Sequence, residues 1–239
     1  MEAIILAGGL GTRLRSVIGE GLPKCMAEVA GRPFLHFIFQ YLEEQGCTRI
    51  ILSLGHGHMH ILDWLEKCSP TGIEVAHVIE HEPLGTGGGI RLAMEEARAE
   101  HVFVLNGDTA FDVRLATLKS FAENTGAETV LALKPMRDFE RYGTVEVEEH
   151  GGRILRFSEK QPRAKGLING GIYCILREQF LARAVPHKFS FEKDYLEAFV
   201  HEGRFFGQAS NKYFIDIGIP EDYARAQTDF AARFPLSEK

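Results

Sequence analysis

Hydrophobic and polar positions change in blocks along the first half of the chain. The opening run MEAIIL is apolar and β-branched, reads as a buried strand, and hands over directly to the glycine-rich LAGGLGTRLR. After Pro33 the apolar positions Phe34, Phe37, Ile38, Tyr41 and Leu42 recur at helical spacing until Gly46. RIILSLG is a second strand, a helix from about His60 to Lys67 follows, and IEVAHVIE is a third strand. PLGTGGGI opens a helix that places Ile90, Ala93, Met94 and Ala97 on one face, and HVFVLNGD is a fourth strand. Strands alternating with amphipathic helices predict parallel βαβ units.

The pattern changes in the second half. GTVEVEE and RILRFSEK alternate apolar and polar residues on either side of HGG, which predicts a hairpin turning at Gly151 and Gly152. GLINGGIYCIL is a further strand, interrupted by Gly170 and Gly171. FEKDYLEAFVHEG predicts a helix ending at Gly203, YFIDIG a last strand, and PEDYARAQTDFAARF a helix with Pro220 in its first turn. Neither an internal repeat nor a linker divides the chain. The prediction is one α/β domain with a Rossmann-like, mixed and mainly parallel sheet flanked by helices. About residues 1–112 are expected to form its first half, and about 113–239 a hairpin-containing second half that supplies a different part of the site.

The chain has 239 residues, 45% hydrophobic and 25% charged, which suits a single large α/β domain. A net charge of −6 disfavours a nucleic-acid partner, so any phosphate-binding charge is local. No apolar run approaches the roughly 20 residues of a membrane span, and no basic leader precedes the first strand. A cytoplasmic protein with no membrane partner is expected. Cys25, Cys47, Cys68 and Cys174 are widely spaced and read as reduced thiols. His56, His58 and His60 alternate in GHGHMHI, but no nearby Cys or acidic pattern completes a coordination set, so they read as a loop entering a helix.

The chemistry concentrates around LAGGLGTRLR. Gly8, Gly9 and Gly11 let backbone N–H groups approach an anion with no Cβ in the way, at the carboxyl end of a strand where open α/β sheets bind ligands. Arg13 adds a fork of donors and Lys24 a point charge, which together suit pyrophosphate oxygens. A P-loop is excluded because Thr12 and Arg13 follow Gly11 where Lys and Ser or Thr are needed. A dinucleotide loop is excluded because Leu14 stands at its third glycine, and the next strand ends without an acidic residue for the ribose. Asp108 in LNGDT and Asp216 in YFIDIG each lie near a strand end. Brought together, they suit Mg2+, a hard cation that keeps water and phosphate oxygens in its shell.

These motifs resemble the sugar nucleotidyltransferases over essentially the whole chain and in family order: AGGLGTRL with PK, LGTGGGI, NGDT, YGTVE, SEK, NGGIY and FIDIG. The resemblance implies nucleotide contacts from Leu6, Ala7, Gly8, Gly9, Gly11, Thr12, Arg13, Lys24, Glu80, Gly85, Thr86, Gly87, Asn106 and Gly107. It implies sugar-phosphate contacts from Gly143, Glu159, Lys160, Asn169 and Gly170, with Mg2+ on Asp108 and Asp216. Arg13, Lys24 and Asp108 are then the catalytic residues. EPLGTGGGI and the compact length are most similar to guanylyltransferases acting on D-glycero-α-D-manno-heptose 1-phosphate or mannose 1-phosphate. That implies GTP and a sugar 1-phosphate as partners, with the product serving bacterial polysaccharide or glycan synthesis and a homodimer left open. The signature lysine is usually followed by proline, whereas Cys25 follows Lys24 here, which predicts a less rigid loop.

The implied reaction is attack of a sugar-phosphate oxygen on the α-phosphorus of a nucleoside triphosphate, releasing pyrophosphate. The nucleophile is already ionised, so positioning and charge neutralisation carry the catalysis. The consecutive small residues Gly87, Gly88 and Gly89 are expected to open a slot long enough for a purine. Other readings are a nucleotidyltransferase using UTP, CTP or dTTP, a glycosyltransferase, and a nucleotide-sugar sensor. A glycosyltransferase more often shows D-x-D and needs no Arg13 or Lys24, and a sensor has no reason to keep every charged position.

Overall fold

The structure, a computed structural model, describes residues 1–9, 11, 13–19, 21–68, 72–158 and 160–235, excluding the side chains of residues 15 and 16. Thr12 and Glu159, both expected in the site, lie outside the described residues. The chain runs through β1 (Glu2–Leu6), α1 (Arg15–Ile18), a 3-10 turn at Lys24–Met26, a ribbon of β2 (Glu28–Val29) and β3 (Arg32–Pro33), and α2 (Phe34–Glu44). Next come β4 (Arg49–Leu54), α3 (His58–Cys68), β5 (Glu74–Ile79), α4 (Gly85–Glu96), β6 (His101–Asn106), β7 (Thr109–Phe111) and α5 (Leu115–Thr125). The second half holds β8 (Thr129–Phe139), β9 (Thr144–Val147), β10 (Ile154–Ser158), β11 (Arg163–Leu176), α6 (Arg177–Leu181), β12 (Phe205–Ala209), β13 (Phe214–Asp216) and α7 (Pro220–Arg233).

Strands β5, β4, β1 and β6 lie side by side and parallel, in the order expected of the βαβ units. β1 is buried by both neighbours, and its apolar residues Ala3, Ile4 and Ile5 have no solvent exposure. The path leaves β1 toward β4 and β5 and returns on the other side as β6. The carboxyl ends of β1 and β6 therefore flank a topological switch point, with Leu6 in register with Asn106. β11 pairs antiparallel with β6 and with β8, and β12 closes that edge parallel to β8.

β11 is long enough to serve two neighbours on one side. Its carboxyl half pairs with β6, while Ile168 lies opposite Thr144 of β9, which forms the predicted hairpin with β10. The register breaks between Asn169 and Tyr173, at the two glycines. Gly171 has φ +72°, and a Cβ at Gly170 would lie 2.5 Å from the Phe111 ring. Glycine at both positions permits this bulge, which lies where β11 passes from pairing with β9 to pairing with β6.

Three differences from the sequence expectation have physical reasons. The segment FEKDYLEAFVHEG is not one α-helix: Phe191–Glu197 winds as a π-helix capped by the Ser190 hydroxyl, and Val200–Glu202 is a separate 3-10 turn. YFIDIG does not join the main sheet; β13 pairs antiparallel with β7 in a two-stranded ribbon beneath α7. α5, β8 and β12 were not assigned from sequence. No helix among the described residues is long and apolar enough to cross a membrane.

Candidate active site

Two connected hollows open at the switch point. The smaller, about 210 Å³, is lined by Leu6, Ala7, Gly9, Gly11, Lys24, Cys25, Thr86, Asn106, Gly107, Asp108 and Glu192. The larger, about 450 Å³, lies between β6, the bulge of β11 and the β9–β10 hairpin, with Gly143, Lys160, Asn169, Gly170, Asp108 and Asp216 on its wall. Asn106, Asp108 and Glu192 line both. The two hollows thus share one charged boundary.

At that boundary Lys24 Nζ lies 2.5 Å from Asp108 Oδ2, with both side chains mostly buried. The β7–β13 ribbon sets Asp216 beside Asp108, since Asp216 pairs with Thr109 and the Ile217 N–H donates to the Asp108 carbonyl at 3.0 Å. Asp216 Oδ1 accepts from the Gly218 N–H at 2.7 Å. Burial first, and then the neighbouring Asp108, push the Asp216 carboxyl above its usual range; the Gly218 N–H, Lys24 and Arg141 oppose this. These carboxylates fit a hard divalent cation, because a partly desolvated pair already draws a lysine ammonium to it. Among the described residues no group of three or more His, Cys, Asp or Glu side chains forms a metal cage, so phosphate oxygens and water would complete the shell. His56, His58 and His60 form none either, and the His58 ring is turned to the Gly55 carbonyl at 3.0 Å.

The larger hollow contains residues that sequence reasoning missed. The Arg141 guanidinium reaches Asp222 Oδ2 at 2.6 Å, hydrogen-bonds the Tyr142 hydroxyl and lies 4.9 Å from the Tyr142 ring centroid. Tyr142 OH points at Asp216 Oδ2, 3.5 Å away. Burial, followed by Asp216, pushes the Tyr142 phenol up to about 12. A chain of contacts therefore runs from α7 through Arg141 and Tyr142 to the carboxylate pair. Across the cleft, Glu192 Oε2 accepts from the hydroxyls of Thr86 at 3.0 Å and Ser190 at 3.1 Å, tying the π-helix to α4. Asn169 is held from within its own bulge, donating to Tyr173 OH at 2.8 Å and accepting from the Gly171 N–H at 3.0 Å.

Several expected nucleotide contacts are placed differently. Arg13 is exposed and lines the larger cleft with Asp108 rather than the hollow that holds Lys24. Gly8 faces the Gly55 backbone, where a Cβ would come within 3.1 Å of its nitrogen. Glu80 Oε2 accepts the Leu84 N–H at 3.0 Å at the head of α4. Gly87, Gly88 and Gly89 are buried, and they open no slot. A Cβ at Gly87 would sit 2.2 Å from the Phe189 ring, one at Gly88 2.7 Å from Leu84, and one at Gly89 2.6 Å from Glu80. Gly85 has φ +77° and abuts the Phe189 carbonyl. Gly85, Gly87 and Gly88 let α4 pack close to the 187–189 segment, and Gly89 lets it approach Glu80 and Ser53. Thr86 stays at the hollow but does not cap α4: its hydroxyl accepts the Phe191 N–H at 2.9 Å.

Cys25 follows Lys24 in the 3-10 turn and is buried, and a Cβ at Gly107 would lie 3.4 Å from its own Cβ. Burial, then Asp108, push its thiol up to about 12, which keeps it protonated and a poor nucleophile on the wall of the smaller hollow.

Residues 2–233 match the nucleotidyl transferase family model. The chain is 47% identical over 229 residues to D-glycero-alpha-D-manno-heptose 1-phosphate guanylyltransferase of Aneurinibacillus thermoaerophilus, covering 96% of this chain and 98% of that one. It is 44% identical over 223 residues to the enzyme of the same description from Campylobacter jejuni, covering 93% and 97%. The crystal structure of HddC from Yersinia pseudotuberculosis complexed with GMP-PN superposes with a TM-score of 0.84 at 40% identity, covering 96% and 99%. With the parallel sheet, the glycine-rich strand end and the Lys24–Asp108–Asp216 cluster in place, the chain belongs to the nucleotidyl transferase family.

Proposed function

We propose that this enzyme transfers a guanylyl group from GTP to D-glycero-α-D-manno-heptose 1-phosphate, releasing pyrophosphate and a GDP-sugar for glycan synthesis. The observation that carries the reading is the shared boundary of the two hollows, where one lysine and two carboxylates stand between a phosphate-sized and a sugar-sized space. GTP and the heptose rest on the near full-length relatives. Residues 1–112 supply the nucleotide half and 113–239 the sugar-phosphate half.

In this reading the Gly9 and Gly11 backbone and Lys24 hold the triphosphate, while Gly143, Lys160 and the β11 bulge hold the sugar phosphate with its oxygen facing the α-phosphorus. Arg13, on the cleft wall beside Asp108, balances charge as pyrophosphate departs. The sugar phosphate enters as an anion, so no side chain has to remove a proton; the residues orient, neutralise and exclude water. Asp108 and Asp216 would hold Mg2+, which supplies charge neutralisation at the phosphates. The test is a pyrophosphate-release screen of GTP, ATP, UTP, CTP and dTTP against manno-heptose, mannose and glucose 1-phosphates with Mg2+. The expected pair is GTP with the manno-heptose. Preference for a pyrimidine triphosphate refutes the base, and preference for mannose or glucose 1-phosphate refutes the sugar.

A further inference from the structure

Lys24 is expected on phosphate, yet its ammonium sits 2.5 Å from Asp108 Oδ2, mostly buried from solvent. It stands close to the second carboxylate as well. A Cβ built on Gly218 would lie 3.3 Å from Lys24 Nζ and 2.7 Å from Asp216 Oδ1, so one small volume is bordered by both groups. The stem of Lys24 runs along the glycine loop, where a Cβ at Gly11 would lie 3.4 Å from Lys24 Cβ. The same side chain therefore touches the loop suited to phosphates and the carboxylates suited to a cation. A four-carbon stem with free rotation can move its ammonium between two such partners.

We propose that Lys24 is a displaceable counter-ion that stands in for the divalent cation until a triphosphate draws it away. Without nucleotide, Asp108 is already paired with a cation, and a free metal ion must compete with a positive charge held on Asp108 and close to Asp216. When the triphosphate enters the loop, its oxygens offer Lys24 a new anion. The two carboxylates then face the incoming cation unopposed. Cation and triphosphate become thermodynamically coupled through one side chain, and by reciprocity each raises the affinity for the other by the same factor. The chain thereby favours the cation–triphosphate complex over either component alone, and it avoids filling its metal site unproductively. This rests on the placement of the cation at Asp108 and Asp216 under the proposed function.

The test measures binding without turnover. Mn2+ is titrated into nucleotide-free protein and followed by the loss of the free Mn2+ electron paramagnetic resonance signal, for the parent, Lys24→Met and Lys24→Gln, with thermal unfolding to confirm that each is folded. Both variants are expected to bind free Mn2+ at least tenfold tighter than the parent. A non-hydrolysable GTP analogue should tighten Mn2+ binding by a larger factor in the parent than in either variant. Asp108→Asn, titrated in parallel with the analogue present, reports the cation placement separately. Unchanged Mn2+ affinity in both Lys24 variants, with binding weakened by Asp108→Asn, overturns the counter-ion role and leaves the metal site standing. Unchanged affinity in all three variants overturns the metal placement as well.

Discussion

Replacing Gly87 by alanine separates a glycine that serves packing from one that serves a base. The new Cβ would lie 2.2, 2.3 and 2.8 Å from three atoms of the Phe189 ring, whereas unstrained carbons stay about 3.5–4.0 Å apart. The ring must retreat by more than about 1 Å, yet Phe189 is 3% exposed and its carbonyl is bonded to the Gly87 N–H at 3.0 Å. Overpacking of this kind costs about 1–3 kcal/mol. Alanine in a helix returns about 1 kcal/mol, and since a 2.2 Å approach puts the cost in the upper part of that range, about 2–3 kcal/mol, the net loss is about 1–2 kcal/mol. For a chain of this size that corresponds to a melting point lower by roughly 2–8 °C. The assay is thermal and urea unfolding of Gly87→Ala, Phe189→Leu and the double variant, with the competition among triphosphates run on each. The expected result is a destabilised Gly87→Ala with unchanged base preference, and a double variant more stable than the sum of the single changes because the smaller side chain yields space. A Gly87→Ala protein that melts like its parent and loses base discrimination refutes the packing account and restores the base slot.

Asp216→Asn should raise the melting point of the nucleotide-free, metal-free protein at neutral pH while abolishing most Mg2+-dependent turnover. The carboxyl pKa is raised in the fold, so its stabilising protonated form is fully present below the ordinary carboxylate range and lost as pH rises through the raised value; asparagine escapes that loss. A lower melting point at neutral pH, or a gain that persists well below the ordinary carboxylate range, contradicts this. Of the four thiols, Cys68 alone is exposed and should react quickly with a thiol reagent, while Cys25, with its thiol pushed up to about 12, reacts only on unfolding. Rapid modification of Cys25 in the native protein would disprove its burial. Arg141→Ala should raise KM for the sugar 1-phosphate several-fold through the freed Tyr142 ring and leave the thermal shift by GTP unchanged. A loss of the GTP shift would place Arg141 on the nucleotide side.

What the sequence made legible was mostly local. The strand before the glycine loop, the βαβ alternation and the hairpin at Gly151 follow from apolar period and turn chemistry, and the structure contains each. Lys24 is legible as the lysine that follows the glycine loop and Asp108 and Asp216 as acids near strand ends, and the fold brings the three together. Non-local features stayed hidden. β8 carries Pro135 and a charged second half, which argues against an eleven-residue strand until its partner β11 is known. α5 did carry a signal, because Leu115, Leu118 and Ala122 fall on one face before the left-handed Gly126. Tyr142 opens the YGTVE motif, from which only Gly143 is picked out by sequence, and Arg141 just precedes it; only the approach of α7 gives Arg141 its partner. Glu192 and Lys193 were absorbed into a presumed amphipathic helix, and the wider π-turn that carries Glu192 to the boundary has no signature in apolar period.

The glycines of the signature loop divide by one physical criterion: whether the fold itself forbids a side chain. Gly8 meets the Gly55 backbone at 3.1 Å, and Gly11 has φ +57° with Lys24 against it, so packing and conformation account for both. Gly9 differs. Its φ is not in the left-handed region, a Cβ there would meet nothing within 4 Å among the described residues, and yet it lines the smaller hollow. Nothing among the described residues requires glycine at that position, which points to the close approach of a ligand as the reason for it. Gly9→Ala should therefore fold at least as stably as the parent, with a gain of about 0.4–1 kcal/mol from the stiffer unfolded chain. It should lose affinity for the triphosphate, because the methyl group occupies the space in front of the backbone donors. Thermal unfolding without ligand, paired with calorimetric titration of a non-hydrolysable GTP analogue, reads the two effects separately. Gly87→Ala has the opposite signature, unstable but still selective, so the two variants together test whether contact distance to a missing Cβ distinguishes ligand glycines from packing glycines. A Gly9→Ala protein that binds the analogue as tightly as its parent would show that the triphosphate does not lie against this loop.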